Sequence, residues 1–399
     1  MIKVILKKGR EESLQRFHPW VFSGAIAQIQ GNPAEGDIVA VHAADGTYLA
    51  SGHYQIGSIA VRILSFDEDP ASPEFYRNML SRALAVREAI FSKAEDNAGP
   101  TDCFRLVHGE GDGLPGLIID WYDGVCVMQA HSVGMFRAKG QICEALKEIF
   151  GDRLKAVYDK SSGTAPFKAG LDLVDGYLYR KEGFTLSETE VRENGRRFIV
   201  NWEEGQKTGF FLDQRDNRDM VGKFATGRHV LNLFCYTGGF SIYALTAGAE
   251  SVDSVDSSAR AMALVDRNVQ LNGVGERHHS HCADAIDFLG ATEDGKYDMI
   301  IVDPPAFAKH RGALHNALRA YQRLNAAAIA KVAPGGLVFT FSCSQVVDKV
   351  TFANTVFSAA AQTGRSVRIL DRFCQGQDHP VNIYHPEGEY LKGLLLYVE

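Results

Sequence analysis

The sequence has no C-x-x-C pair. Its seven cysteines (Cys103, Cys126, Cys143, Cys235, Cys282, Cys343 and Cys374) are odd in number and scattered. That argues against a disulfide scaffold and a thiolate zinc site, and it suits a reducing compartment, expected to be the cytoplasm. No apolar run is long enough to span a bilayer, so no membrane partner is expected. "MIKVILKKGR" reaches its charges after a few apolar residues, which argues against a secretory signal. Basic residues are not in excess: 42 Lys plus Arg stand against 49 Asp plus Glu, a formal net charge of −7. A generic nucleic-acid coater would be basic. Any such contact must therefore come from a local patch, and Lys3, Lys7, Lys8, Arg10 and Arg16 offer one. There is no repeat period, no low-complexity segment and no G-x-G-x-x-G, so a dinucleotide pyrophosphate site is disfavoured.

What remains is a chain of 399 residues, long enough for two or three domains, whose 45% hydrophobic content allows real cores. Residues 1–70 read as a compact β-barrel-like module. "GDIVAVHAADGTYLASGHY" and "SIAVRILSF" are β-rich, with Asp45-Gly46 as a hairpin turn. The acidic "DEDPASPEF", with two prolines, suits a linker. Residues 71–193 read as a small α/β region. It opens on a helix from Phe75 to about Phe91, where Met79, Leu80, Ala83, Leu84, Val86 and Ile90 recur at helical spacing. From 194 to 399 strand and helix alternate, the mark of a doubly wound parallel sheet, and "EYLKGLLLYVE" reads as its last strand.

Four stretches of this last region carry chemistry. "LNLFCYTGGFS" is a strand, a Gly-rich turn and a helix start, and such a turn lets a ligand approach backbone beside a helix N-terminus. Asp256 ends the next strand, where a carboxylate can accept from ribose hydroxyls. Alternatively, Gly238 and Gly239 make only a tight turn and Asp256 caps a helix. In "HHSHCADAIDFL", Asp284 is a candidate adenine contact or a helix cap. Its three histidines read as a solvated connection rather than a metal site, because no matching ligand pair is apparent elsewhere. "IIVDPPAF" closes an apolar strand with Asp303, and two prolines forbid the α-conformation behind them. "GQKTGFFLDQRDNR" mixes glycines, an aromatic pair and a polar cluster. It reads as a capped helix, with Asp213 and Asp216 spaced as in a capping box, or as part of the site through Gln214 and Arg215. "GLVFTFSCSQ" ends a buried-looking strand on Cys343 between two serines, at the sheet lip where α/β enzymes bind ligands.

Together, "KGREESLQRFHPWVFSGAI", "GEGDGLPGLIID", "GQKTGFFLDQRDNR", "FCYTGGFS", "DPPAF", "TFSCS" and "HPEGEYLKG" resemble the class I S-adenosylmethionine-dependent methyltransferases. The resemblance narrows to the ribosomal RNA large subunit methyltransferase I family, the 5-methylcytosine enzymes of bacterial 23S-type RNA. It covers nearly the whole chain. It implies an N-terminal PUA domain, a small central α/β domain and a C-terminal Rossmann-like methyltransferase sheet. It implies S-adenosylmethionine as cofactor and ribosomal RNA as partner, and leaves the oligomeric state open, a homodimer included. By that resemblance Phe234, Tyr236, Thr237, Gly238, Gly239 and Asp256 would hold the methionine part and ribose, Asp284 the adenine end, with Gln214 and Arg215 in the same site. "VYDKSSGTAPFKAGL" departs from the pattern, standing where an "ERSD"-like segment is expected.

The reading that follows is methylation of cytosine C5, with Cys343 adding to C6 and Asp303 holding N3. Two alternatives stand beside it: methylation of an exocyclic base amine, with Cys343 structural, and a non-catalytic RNA-binding protein.

Overall fold

A computed structural model describes residues 2–67, 69–91, 99–166, 169–308 and 310–399. The acidic stretch 67–75 and the departing stretch 157–171 each run partly outside the described residues. The chain divides into two compact units and passes between them more than once. One comprises Met1–Asn194, Val200–Leu212 and Gln377–Gly388; the other comprises Gly195–Ile199, Asp213–Gly376 and Glu389–Glu399.

The first unit contains two sheets. The N-terminal one has six strands in the order Trp20–Phe22, Ile59–Ser65, Tyr48–Tyr54, Ile38–His42, Ile2–Leu6 and Ile26–Gln30. Alternate residues Val4, Leu6, Val39, Val41, Val61 and Ile63 fill its core, as a strand period of two requires. Asp45-Gly46 does make the hairpin turn: Gly46 has φ 91°, and the Asp45 carboxylate accepts from Thr47 N at 2.9 Å. The second sheet has five strands in the order Gly176–Arg180, Ala156–Asp159, Val125–Ala130, Leu117–Tyr122 and Cys103–His108. The helix Phe75–Phe91 packs on it through Phe75, Tyr76, Met79, Leu80 and Ala83.

A buried arginine, Arg87, and a half-buried one, Arg105, fasten this unit. Arg87 pairs with Asp112 at 2.5 Å and donates to Asp378 O at 2.7 Å, while the backbone N of Arg105 donates to the Asp378 carboxylate at 2.9 Å. The Arg105 side chain holds Asp120 at 2.8 and 2.9 Å. Residues 377–388 are thereby tied to a helix 291 positions earlier and a strand 273 positions earlier.

The second unit is one seven-stranded sheet. We number its strands β1 (His229–Leu233), β2 (Ser251–Asp256), β3 (His278–Cys282), β4 (Tyr297–Val302), β5 (Val332–Ser342), β6 (Val367–Phe373) and β7 (Lys392–Val398). Its helices are α1 (Arg215–Ala225), α2 (Gly239–Thr246), α3 (Ala259–Leu271), α4 (Ala285–Ala291), α5 (Leu314–Lys331) and α6 (Lys349–Thr363). The order is β3-β2-β1-β4-β5-β7-β6. The first five strands are parallel, and β7 runs antiparallel to both of its neighbours. Two sequence readings need correction. The histidine stretch is not a connection but the edge strand β3, where His278 meets Ser254 at 2.8 Å and His281 meets Asp253 at 2.5 Å. The stretch 313–336, whose spacing reads as one long helix stopped by Pro334-Gly335-Gly336, stops earlier: α5 ends at Lys331, and β5 begins at Val332, paired with Tyr297.

His53, in the N-terminal sheet, is buried, and a Cβ on Gly134 would fall on its ring. Burial drives its pKa down to about 4, whereas the unfolded chain titrates near 6.5. The unfolded state therefore binds the extra proton between these values, and stability falls as pH drops from about 6.5 to 4. Urea midpoints at pH 7 and pH 5 should show the wild type losing about 2 kcal/mol more than His53→Gln over that interval. Equal losses would show that His53 is not proton-linked to folding.

Candidate active site

Val255, Leu233, Val302, Thr340 and Leu394 form one row across β2, β1, β4, β5 and β7. The residues just past that row are Asp256, Phe234, Asp303 and, a little further, Cys343. Neighbouring strands lie about 4.8 Å apart. The candidate groups from four strands thus share one edge of the sheet.

The turn after β1 is conformationally unusual. Phe234 (φ 57°), Tyr236 (φ 48°) and Gly238 (φ 81°) all adopt positive φ, which costs a side-chain-bearing residue energy. Asp256 helps hold it: one carboxylate oxygen accepts from Tyr236 N at 3.0 Å and the other from Ser258 N at 2.9 Å. A carboxylate oxygen has two lone pairs, so half-buried Asp256 keeps accepting capacity. It does not cap α3; Ser258 does, accepting from Ala261 N. Thr237 is buried, and its carbonyl accepts from Asn268 at 2.9 Å. Gly239 begins α2, where a Cβ would lie 3.0 Å from Arg218. Asp284 is exposed and caps α4 through Ile286 N and Asp287 N, so the cap reading holds for one of its oxygens.

Gln214 and Asp303 meet. The buried Gln214 amide donates to Asp303 at 3.0 Å, and its oxygen accepts from Asn217 at 2.6 Å. The expected capping box is absent, because Gln214 occupies the N-cap of α1 without a side-chain cap. Asp213 instead accepts from Tyr390 at 2.7 Å. Arg215 opens α1 and is buried.

Cys343 is half-buried, whereas Ser342 and Ser344 on either side are buried. The Ser344 hydroxyl is engaged by Tyr321 at 3.0 Å and by Ala308 N at 3.3 Å. Cys103, Cys126, Cys143 and Cys235 are buried; Cys282 and Cys374 are exposed.

Sequence reasoning missed Lys392, which faces Ser342 across the β5–β7 pair. Its buried ammonium donates to Ser344 O at 2.6 Å and Val347 O at 2.5 Å. Burial lowers its pKa to about 8, with Cys343, Asp348 and Glu389 pulling the other way. A lysine opening the apolar run "LKGLLLYV" was the available signal.

An edge with a Gly-rich turn, an acid closing β2 and no dinucleotide fingerprint fits a nucleoside-sulfonium cofactor. Residues 104–382 match the family model of S-adenosylmethionine-dependent methyltransferases, and residues 4–66 match that of PUA-like domains. The chain is an S-adenosylmethionine-dependent methyltransferase with an N-terminal PUA-like domain. Curated relatives named ribosomal RNA large subunit methyltransferase I are similar along their whole length. The one from Shewanella amazonensis is 41% identical over 99% of this chain and 98% of its own. The one from Aeromonas hydrophila is 38% identical over 98% of both. A solved chain described as a methyltransferase in complex with SAH shares the fold, with TM-score 0.84, 22% identity and 100% of both chains covered. The chain belongs to the ribosomal RNA large subunit methyltransferase I family. No helix among the described residues is long and apolar enough to cross a membrane.

Gly238 offers a test of the turn. A Cβ there would sit 3.2 Å from Val265 in a left-handed conformation. Gly238→Ala should cost about 1–2 kcal/mol, read as a lowered thermal midpoint. An unchanged midpoint would mean the turn relaxes freely.

Proposed function

We propose that this enzyme methylates C5 of a cytosine in large-subunit ribosomal RNA, with Cys343 as nucleophile. The observation that carries the reading is that Cys343 alone is accessible within a Ser-Cys-Ser run, at the same sheet edge as Asp303 on the neighbouring strand. The names of the relatives support ribosomal RNA as substrate.

The turn residues Phe234, Tyr236, Thr237, Gly238 and Gly239 would hold the methionine part of S-adenosylmethionine, Asp256 its ribose and Asp284 its adenine end, with Gln214 and Arg215 flanking. When bound, the cofactor supplies an electrophilic methyl group on sulfur. Cytosine C5 is a poor nucleophile within its conjugated ring. The Cys343 thiolate attacks C6, and the C5–C6 π electrons gain enamine character. Asp303, held by Gln214, bonds N3 as charge gathers there. C5 takes the methyl group. A base then removes the C5 proton, the double bond re-forms and the thiolate departs. The target base must leave its stack to reach both groups. The exposed Lys8 and Arg10 of the N-terminal patch would meet phosphate; Arg16 is already paired with Glu12.

A second reading is methylation of an exocyclic amine. Its support is that Asp303 already accepts an amide N–H from Gln214, as it would accept from a base amine.

Cys343→Ala should abolish turnover while cofactor affinity, measured by calorimetry, is retained. RNA carrying 5-fluorocytosine should form a cofactor-dependent covalent adduct, because fluorine cannot leave as a proton. An active Cys343→Ala enzyme would hand the case to amine methylation.

Lys392 gives a second test. The Lys392 ammonium, bonded to the carbonyl next to Cys343, is electrostatically coupled to that thiol, and such a pair is worth on the order of 1–4 kcal/mol at an effective dielectric constant of 20. Lys392→Met should therefore slow alkylation of Cys343 at pH 7 about tenfold or more, followed by peptide mass mapping. Lys392→Arg should restore most of the rate. In the wild type the advantage should fade above pH 8, where the ammonium loses its proton. Equal alkylation rates in wild type and Lys392→Met would reduce Lys392 to a tether of the loop.

A further inference from the structure

His385 is nearly fully buried, yet neither of its ring nitrogens has a hydrogen-bond partner. Leaving a buried polar group unsatisfied costs about 1–3 kcal/mol. The ring packs against Trp20 with centroids 4.3 Å apart, but ring packing satisfies neither nitrogen.

Two further ligand-type side chains converge on it. The nearest available atoms of His18, His385 and Glu387 all lie within 4.8 Å of one another, and His385 Nε2 is 3.9 Å from Glu387. Among the described residues this is the one His/Cys/Asp/Glu group so arranged. All three positions are fixed by backbone. His18 N donates to Ser13 O at 3.0 Å, and Pro19 confines His18 to extended conformations. His385 N donates to Asn382 O at 2.8 Å, and the turn Pro386–Gly388 brings Glu387 round two residues later. His18 Nδ1 lies 3.2 Å from Trp20 N and 3.4 Å from Trp20 O. Trp20 N donates to Nδ1 in one tautomer, which protonates Nε2. Ligation through Nε2 selects the other, in which Nδ1 donates to Trp20 O, the usual outer-shell arrangement of a ligand histidine. The local charge also suits a cation. Glu110 accepts from Trp20 and from Arg62 at 3.3 Å, so that guanidinium is offset, and Glu387 remains.

We propose that His18, His385 and Glu387 bind a divalent transition-metal ion, zinc by ligand type. Two imidazoles and a carboxylate are a borderline-soft set, and they leave a coordination position for solvent. Glu387 is exposed and can swing inward to shorten the spacing. The ion would take one orphaned nitrogen of His385. It would also clasp residues 377–388 to the N-terminal module, more than 360 positions away in sequence, as a structural staple. This site is separate from Cys343 and stands whatever base the enzyme methylates.

The full chain, stripped with a chelator, is titrated with Zn²⁺ by calorimetry and with Co²⁺ by visible absorption and tryptophan emission. One equivalent should bind, cobalt should show d–d bands of low coordination number, and Trp20 emission should change. His385→Phe keeps a ring against Trp20 but removes the ligand. Its zinc affinity should fall by at least the roughly 10–100-fold that loss of even an outer-shell partner costs. Glu387→Gln should weaken binding while His279→Ala, on exposed β3, should not. No stoichiometric binding, or equal affinity in His385→Phe, would overturn the site and leave His385 as ring packing.

Discussion

The parallel register of β2, β1, β4 and β5 is the constraint on which the rest depends. Val255, Leu233, Val302 and Thr340 share one row, so the next residue of each strand emerges at a common edge. A register slip of one residue would turn every side chain on a strand to the opposite face. Asp256, Phe234 and Asp303 follow that row directly and Cys343 three residues past it, so all four leave the same edge because the buried runs before them are fixed against one another. Nearly all of these run residues are fully buried, which is what makes the register stiff.

Most of that edge was legible in the sequence, for a physical reason. Strands buried on both faces read as apolar runs, and their ends are marked by Asp, Gly and Pro. The glycine turn, Asp256 and Asp303 announce themselves in this way. What was not legible is contact between distant segments. Nothing near Asp378 says that Arg87 and Arg105 will hold it. The apolar period of the helix Phe75–Phe91 suggests Val86 for the core, yet Val86 is exposed and Arg87 is buried. A guanidinium sits inside because Asp112 and backbone carbonyls satisfy it, and a period cannot display that. Lys392 was passed over for the same reason: its partners are carbonyls some 45–48 positions away.

The Asp readings divide according to lone pairs. Local sequence allows each of Asp213, Asp256 and Asp284 to cap a helix, and only Asp284 does so. Asp256 spends its hydrogen bonds on the strained turn instead. That carboxylate shapes the turn and retains accepting capacity. Substitution there cannot separate the two by activity alone, so binding and stability must be read side by side.

The Ser-Cys-Ser run begins on the last residue of β5 and continues past its end. Ser342 and Ser344 are buried, while Cys343 between them is half-buried. Ser344 is tied to Tyr321 from α5 and to Ala308 after the prolines. Two small hydroxyls can be buried there because partners are supplied. The same contacts fix the backbone around Cys343, while Lys392 draws in the carbonyls of Ser344 and Val347 behind it. Both faces of β5 are buried along its last residues up to Ser342, and accessibility returns at Cys343. Cys343 is thus held by its neighbours' hydrogen bonds and left partly accessible.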